Sequence, residues 1–208
     1  MRLLLLSGGI DSAALACWTR PDVCLTIDYG QAPARGEVAA AAAVSRHLAL
    51  RHEVLTVDLR HLGSGLMSGK EPSALAGAEE WWPYRNQMLI TLAAMRFVSD
   101  GLREIMIGAV ATDIHADGKP PFLDAIDRTL SLQEGGVRVT APGLRHTTLD
   151  LLRLARFPRD LLGVTFSCHA MEVACGQCGG CIKHLDTLRR LDAAETAEQE
   201  LAPGGSAE

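Results

Sequence analysis

Short apolar runs alternate with longer stretches of helical period along most of the chain. Leu3–Leu6 reads as a first strand that empties into Ser7-Gly8-Gly9-Ile10-Asp11-Ser12, with a helix following over Ala13–Trp18. Val23–Ile27 reads as a second strand ending in Asp28-Tyr29-Gly30-Gln31, and an alanine-rich helix spans roughly Arg35–Leu48. Glu53–Val57 is a third strand ending at Asp58. Residues 59 to 80 hold four glycines, Lys70 and Pro72, which predicts a long connection. Connections of that length in compact domains are commonly lids or binding loops. Arg85–Val98 carries apolar residues at helical spacing, and Glu104–Ala109 is a fourth strand ending near Asp113. A helix over Phe122–Leu132, a short fifth strand over Val137–Thr140, and a helix over Thr148–Ala155 stopped near Pro158 come next. Residues 181 to 194 form a final helix. The tail from Glu195 is rich in Ala and Glu and carries Pro-Gly-Gly-Ser near its end, a composition expected to be disordered.

Strand–helix alternation predicts a parallel sheet with helices on both faces. Ligands then gather at the carboxyl ends of the strands. The polar candidates fall there: Ser7 to Ser12, Asp28 to Gln31, and Gly108 to Asp113. The division that follows is an α/β domain over 1–160 that carries the glycine turn, a cysteine-bearing region over 161–195, and a tail over 196–208. At 208 residues and 48% hydrophobic, the chain can fill one such core with a small appendage. A net charge of −5 argues against a general nucleic-acid binder, which needs a basic face. No apolar run reaches the length of a membrane span, and the first leucines are too few for a signal-peptide core. A cytoplasmic setting is therefore expected, where six cysteines read as thiols or metal ligands rather than disulfides.

The turn at residues 7 to 12 points several backbone N–H groups toward the positive end of a helix, a seat for phosphate or pyrophosphate. Gly8 and Gly9 permit close approach of an anion, Ser7 and Ser12 add hydroxyls, and Asp11 can hold a metal or a neighbouring loop. No Gly-Lys-Ser/Thr follows, so it is not a Walker A loop, and it lacks the dinucleotide glycine spacing. It resembles the pyrophosphate loop (PP-loop) of ATPases that split ATP between its α and β phosphates. The bland alternative is an ordinary strand-to-helix turn.

The second signal is Cys168, Cys175, Cys178 and Cys181, spaced Cys-x6-Cys-x2-Cys-x2-Cys. Four thiolates at this density suit a tetrahedral structural Zn²⁺, with an iron–sulfur cluster as the competing reading. Gly176, Gly179 and Gly180 let the backbone wrap around an ion, and His169 and His184 flank the cluster as alternative ligands. Cys17 and Cys24 sit in apolar runs as small core residues.

Taken together, the chain resembles the 7-cyano-7-deazaguanine synthases, the QueC family of queuosine biosynthesis. The resemblance rests on Leu-Ser-Gly-Gly-Ile-Asp-Ser at 6–12, Ile-Asp-Tyr-Gly-Gln at 27–31, Pro-Tyr-Arg-Asn at 83–86, and Ile-Gly at 107–108 leading to Asp113. Thr-Phe-Ser-Cys and Cys-Gly-Gln-Cys-Gly-Gly-Cys within 165–181 complete it. It implies an adenine nucleotide alpha hydrolase-like, Rossmann-like fold and a zinc-containing, dimeric, cytoplasmic enzyme. It implies ATP with Mg²⁺, activation of the carboxylate of 7-carboxy-7-deazaguanine, capture by ammonia to an amide, and a second activation to a nitrile. By this resemblance Ser7, Gly8, Gly9, Asp11 and Ser12 grip the ATP phosphates, and Asp28, Tyr29 and Gln31 line the nucleotide side. Arg85 and Asn86 meet phosphate or carboxylate, and Asp113 holds Mg²⁺, so Asp11, Arg85 and Asp113 carry the chemistry. A surface cap and solvated arginine, and a strand-end turn residue, are the plain alternatives for these last positions. Trp81 and Trp82 are candidates for stacking on a planar base, or for core or dimer packing.

The resemblance breaks in three places. The family's segment like Asp-Tyr-Ser-Gly-Tyr-Pro-Asp-Cys-Arg is here Asp113-Ile114-His115-Ala116-Asp117-Gly118-Lys119-Pro120-Pro121. Its Thr-Lys is Thr148-Leu149, with Lys119 or Arg145 as possible substitutes for the lost cation. Ala32-Pro33 stands where a basic pair is common. These departures keep other classes open. One is a paralogue of antiviral defence systems that joins the deazaguanine acid to a protein amine. Others are a different PP-loop chemistry, such as tRNA thiolation, and a nucleotide-binding subunit without catalysis.

Overall fold

The computed structural model describes residues 1–201, and the last stretch expected to be disordered, 202–208, lies outside them. Five strands form one parallel sheet: β1 (Arg2–Leu5), β2 (Val23–Asp28), β3 (His52–Thr56), β4 (Glu104–Met106) and β5 (Arg138–Thr140). Their order is β3-β2-β1-β4-β5, every neighbouring pair parallel. The order reverses between β1 and β4, and in open α/β sheets ligands bind in the crevice outside the strand ends at that point.

Seven helices connect and cover the strands among the described residues. They are α1 (Ile10–Thr19), α2 (Ala34–His47), α3 (Arg85–Phe97), α4 (Pro120–Ser131), α5 (Thr148–Leu154), α6 (Arg159–Leu162) and α7 (Gly179–Leu201). Strand side chains alternate between the two faces. Leu3, Leu25 and Ile105 pack with Ile90 and Phe97 of α3 and Ile126 of α4. Leu4, Cys24 and Met106 pack with Leu15 of α1, Val44 of α2 and Leu151 of α5. This places helices on both faces, as the alternation predicted, and confirms Cys24 as a core residue. Burial pushes its thiol up to about 11, so it stays protonated and inert.

The differences from the sequence reading have local causes. Helix α1 begins at Ile10 rather than Ala13, because the glycine turn is tighter than its composition implies and Gly9 already sits at the helix start. Strand β4 ends at Met106, short of the expected Ala109, although Ile107 N–H still donates to Thr140 O at 3.0 Å. Beyond it, Gly108 turns to pass over Ser12. The long connection after β3 holds two single-turn 3-10 helices, Arg60–Leu62 and Leu66–Ser68. Met67 from this connection is buried beside Tyr29 and Trp82, so the segment is anchored to the core. Helix α7 runs through to Leu201, past the boundary drawn near residue 195. No described helix is long and apolar enough to cross a membrane.

Candidate active site

A cavity of about 760 Å³ opens at the carboxyl ends of β1, β2 and β4, on the reversal point of the sheet. One wall is the glycine turn. Gly8 has a positive φ of 81°, and a Cβ there would lie 2.7 Å from the Ala40 methyl and 2.8 Å from the backbone of Glu37 and Ala41. Gly8 thus fits the turn against α2 rather than facing the cavity. Gly9 does line the cavity and is the N-cap of α1, with no side-chain cap. The first N–H groups of α1 therefore face the opening without a capping oxygen, which is how a helix start becomes an anion seat. By contrast, α5 is closed by a capping box between Thr147 and Asp150.

Ser7 and Ser12 hydroxyls lie 3.2 Å apart, and Ser12 donates to Gly9 O at 3.1 Å. Asp11 accepts from the Thr148 hydroxyl at 2.6 Å and from the Lys183 ammonium at 2.8 Å. Asp113 also lines the cavity and accepts from Val110 N–H at 3.0 Å. Burial raises its carboxyl above the usual range against that hydrogen bond, and the fields of Lys183 and Asp11 both reach it. Asp11, Asp113 and Lys183 therefore form one electrostatic group beside the loop.

The opposite wall carries Tyr29, Glu37, Arg85 and Asn86. Tyr29 is buried and stacks edge-on against Trp82 at 4.9 Å. The Arg85 guanidinium lies beside Tyr29, Glu37 and Asp117, which hold its charge in place against desolvation. Glu37 accepts from Gln31 Nε2 at 2.7 Å, and burial pushes its carboxyl up to about 7 despite that bond. Asn86 donates to Asp117 O at 3.2 Å and so ties α3 to the 113–118 loop.

Three expected site residues sit elsewhere. Asp28 caps its own turn by accepting from Gly30 N–H at 3.0 Å, and Gln31 braces that turn through Tyr29 N–H and Ile27 O. Neither lines the cavity, and Gly8 does not either; all three shape the wall from behind. Trp82 is core, its ring against Tyr29, so it offers no stacking face. Lys119 donates to Asp113 O but does not line the cavity, and Arg145 does not line it. Lys183, Glu80 and His115 do line it and were missed as site residues, and so does His169, which the sequence placed beside the cysteines. Glu80 and His115 pair at 3.1 Å across two loops far apart in sequence, and no motif marks either.

The four cysteines converge at the rim. Their sulfurs all lie within 4.8 Å of one another, with Cys168–Cys178 and Cys175–Cys181 at 3.9 Å. A tetrahedron of sulfurs about 2.3 Å from a metal has edges of about 3.8 Å, so the donor set fits such an ion. Backbone N–H groups of His169, Ala170, Cys178 and Cys181 point at the sulfurs, as they would to stabilise thiolates. Hydrogen bonds from Gln177 and Cys178 N–H lower the Cys175 thiol to about 6, while burial raises Cys181. The set can hold a metal ion. It is fastened to the glycine turn by Phe166 N–H donating to Gly8 O at 2.9 Å, and Ser167 bonds His184 of α7 at 3.1 Å.

Comparison with known proteins converges on one family. The model described as "Queuosine biosynthesis protein QueC" matches residues 1–192. A 7-cyano-7-deazaguanine synthase from Desulforudis audaxviator is 32% identical, covering 90% of this chain and 96% of its own. One from Methanospirillum hungatei is 31% identical over 90% and 94%, and one from Anaeromyxobacter sp. is 33% identical over 93% and 91%. Among solved structures, the NMN synthetase of Francisella tularensis matches with a TM-score of 0.50 at 14% identity, covering 92% of this chain and 76% of that one. At that identity it speaks to the fold alone.

Proposed function

This chain belongs to the QueC family of queuosine biosynthesis proteins, and from that premise we propose that it uses ATP to activate the carboxylate of 7-carboxy-7-deazaguanine for capture by ammonia. The observation that carries the reading is the uncapped start of α1 opening into a cavity whose far wall is charged and partly buried. A carboxylate resists nucleophiles because it is anionic and oxide leaves poorly. Attack of its oxygen on the α-phosphorus breaks the bond to the oxygen bridging the β-phosphorus and expels pyrophosphate. The acyl group then bears AMP, a good leaving group. The ammonia lone pair attacks the acyl carbon, AMP departs, and a proton is shed to give the amide. The amide oxygen then attacks the α-phosphorus of a second ATP and expels pyrophosphate, and loss of AMP and two protons gives the nitrile.

Gly9, Ser7 and Ser12 sit where the polyphosphate would lie, and the α1 N–H groups would take the charge that grows on pyrophosphate. Asp11 and Asp113 would hold Mg²⁺, which screens that charge when bound. Arg85, beside Tyr29 and Glu37, would orient the acid at the other wall. The four cysteines would hold Zn²⁺ in a structural role. A soluble, cytoplasmic homodimer is part of this reading.

The test is direct. Purified protein is incubated with Mg²⁺, ATP, the deazaguanine acid and ammonium, and AMP, pyrophosphate, amide and nitrile are quantified by mass spectrometry. Nitrile with AMP is expected, and no AMP with any deazapurine acid would sink the reading in favour of a nucleotide-binding subunit. The rewritten 114–121 segment favours a second reading, in which a protein amine replaces ammonia. His115 from this segment pairs with Glu80 inside the cavity, where an amine proton could be received. AMP and amide to a protein lysine, with no nitrile, would select it.

A further inference from the structure

Lys183 stands apart from every motif yet reaches the glycine turn. Its ammonium is 2.8 Å from Asp11, while its side chain stays 48% exposed toward the cavity. Resting on the adenylating reading above, we propose that Lys183 is the phosphate-binding cation of this site, delivered to the glycine turn by the cysteine cluster.

Three cations other than histidines line the cavity among the described residues: Arg85, Lys183 and Arg190. Arg85 is committed to the far wall by Tyr29, Glu37 and Asp117. Arg190 lies two turns further along α7 and is 3.7 Å from Asp186. Lys183 alone of the three sits on Asp11, the second residue of α1. A positive charge placed there is opposed by the helix dipole and needs a shared anion. Asp11 supplies one negative charge, and the same carboxylate is also spent on the Thr148 hydroxyl. A polyphosphate entering between the α1 N–H groups and the ammonium satisfies both, and a compact ammonium on a flexible stem can turn from carboxylate to phosphate without rebuilding the wall.

The placement is rigid at its base. Lys183 follows Cys181 by two residues in the first turns of α7, and Gly180 packs so closely on Ser167 O and His169 that a Cβ has no room there. The Phe166–Gly8 hydrogen bond locks that loop to the glycine turn. The cysteine cluster therefore fixes the origin of the lysine stem, and only its end moves.

The experiment compares wild type, Lys183→Met and Lys183→Arg. Calorimetry reads affinity for α,β-methylene ATP with Mg²⁺; AMP release, metal content and melting temperature are read alongside. Lys183→Met is expected to weaken nucleotide binding about tenfold or more, a loss of about 1.4 kcal/mol. AMP release should fall ~10²-fold, the scale of removing one charge-stabilising donor. Metal content should be unchanged, and Lys183→Arg should recover part of both losses. As a readout free of substitution, the analogue should protect Lys183 of wild type, but not Lys70, from an amine-reactive reagent. Wild-type affinity and AMP release in Lys183→Met, or no protection of Lys183 at saturating analogue, overturns the proposal. Wild type that binds the analogue but makes no AMP removes the adenylating reading, and the affinity and protection comparisons then decide this one separately.

Discussion

Replacing Gly8 and Gly9 one at a time by alanine separates the scaffold of the turn from its ligand face. At Gly8 the φ of 81° costs an L residue about 1–2 kcal/mol. The new methyl also falls 2.7 Å from Ala40 Cβ and 2.8 Å from Ala41 N and Glu37 O. Two of these neighbours are backbone atoms of α2 and cannot rotate away, so overpacking adds about 1–3 kcal/mol. The sum is about 2–5 kcal/mol, which for a chain of this size lowers the melting temperature by ~4–20 °C. At Gly9 the backbone is extended, with φ −73° and ψ 161°, and the nearest atoms to a Cβ are 3.4 Å or more away. Loss of glycine as an N-cap costs about 1 kcal/mol at most. The Gly9 methyl instead stands in the opening where the phosphate would sit, so nucleotide affinity should drop about tenfold or more, about 1.4 kcal/mol. Thermal unfolding and nucleotide calorimetry on the two variants read both axes. A Gly8→Ala protein that melts with wild type, or a Gly9→Ala protein that binds nucleotide like wild type, would refute the assignment of the two glycines.

Glu37 gives a pH-dependent prediction. Its folded carboxyl holds a proton to about 7, against 4.5 when unfolded, so the fold binds more protons across that window. Stability contributed by this group is therefore lost as pH rises from about 4.5 to 7 and is constant above. Glu37→Gln should flatten that slope in urea unfolding measured from pH 4.5 to 8, and an unchanged slope in the variant would show that another group titrates there. For the cysteine cluster, elemental analysis of wild type should give one zinc per chain, and Cys178→Ser should abolish stoichiometric metal and lower the urea midpoint. Stoichiometric iron with a brown colour would replace zinc by an iron–sulfur cluster.

The sheet was legible because buried parallel strands are nearly continuous apolar runs, and Val23–Ile27, bounded by Arg20-Pro21-Asp22 and by Asp28-Tyr29-Gly30, has few other solutions. The cysteine cluster was legible for a different reason: its ligands lie within one short stretch, so spacing alone encodes geometry. The cation beside Asp11 was not legible. Lys183 and Asp11 are 172 residues apart, and nothing in Cys-Ile-Lys-His sets that lysine off from any solvated helix residue. Asp28 and Gln31 misled in the opposite direction. Their motif marks a wall of the cavity, but their side chains spend their hydrogen bonds on the turn itself, and Tyr29 between them takes the inner face. Glu37 was hidden in an alanine-rich helix, where one acidic residue reads as solvated; only the packing of α2 against the turn reveals its burial.

The bond between Lys183 and Asp11 also orders events in time. Chains emerge from the ribosome amino end first, and their domains fold as units. The glycine turn is among the earliest segments made, whereas its cation arrives only after the sheet, the two loop walls and the cysteines have been synthesised. A contact of that sequence separation forms late, because loop closure must be met before it rewards the fold. A nascent chain lacking α7 would present an open, negatively charged pocket at Asp11 and Asp113, poorly suited to hold a polyphosphate. On the proposed role of Lys183, full nucleotide affinity is reached only once nearly the whole chain is in place.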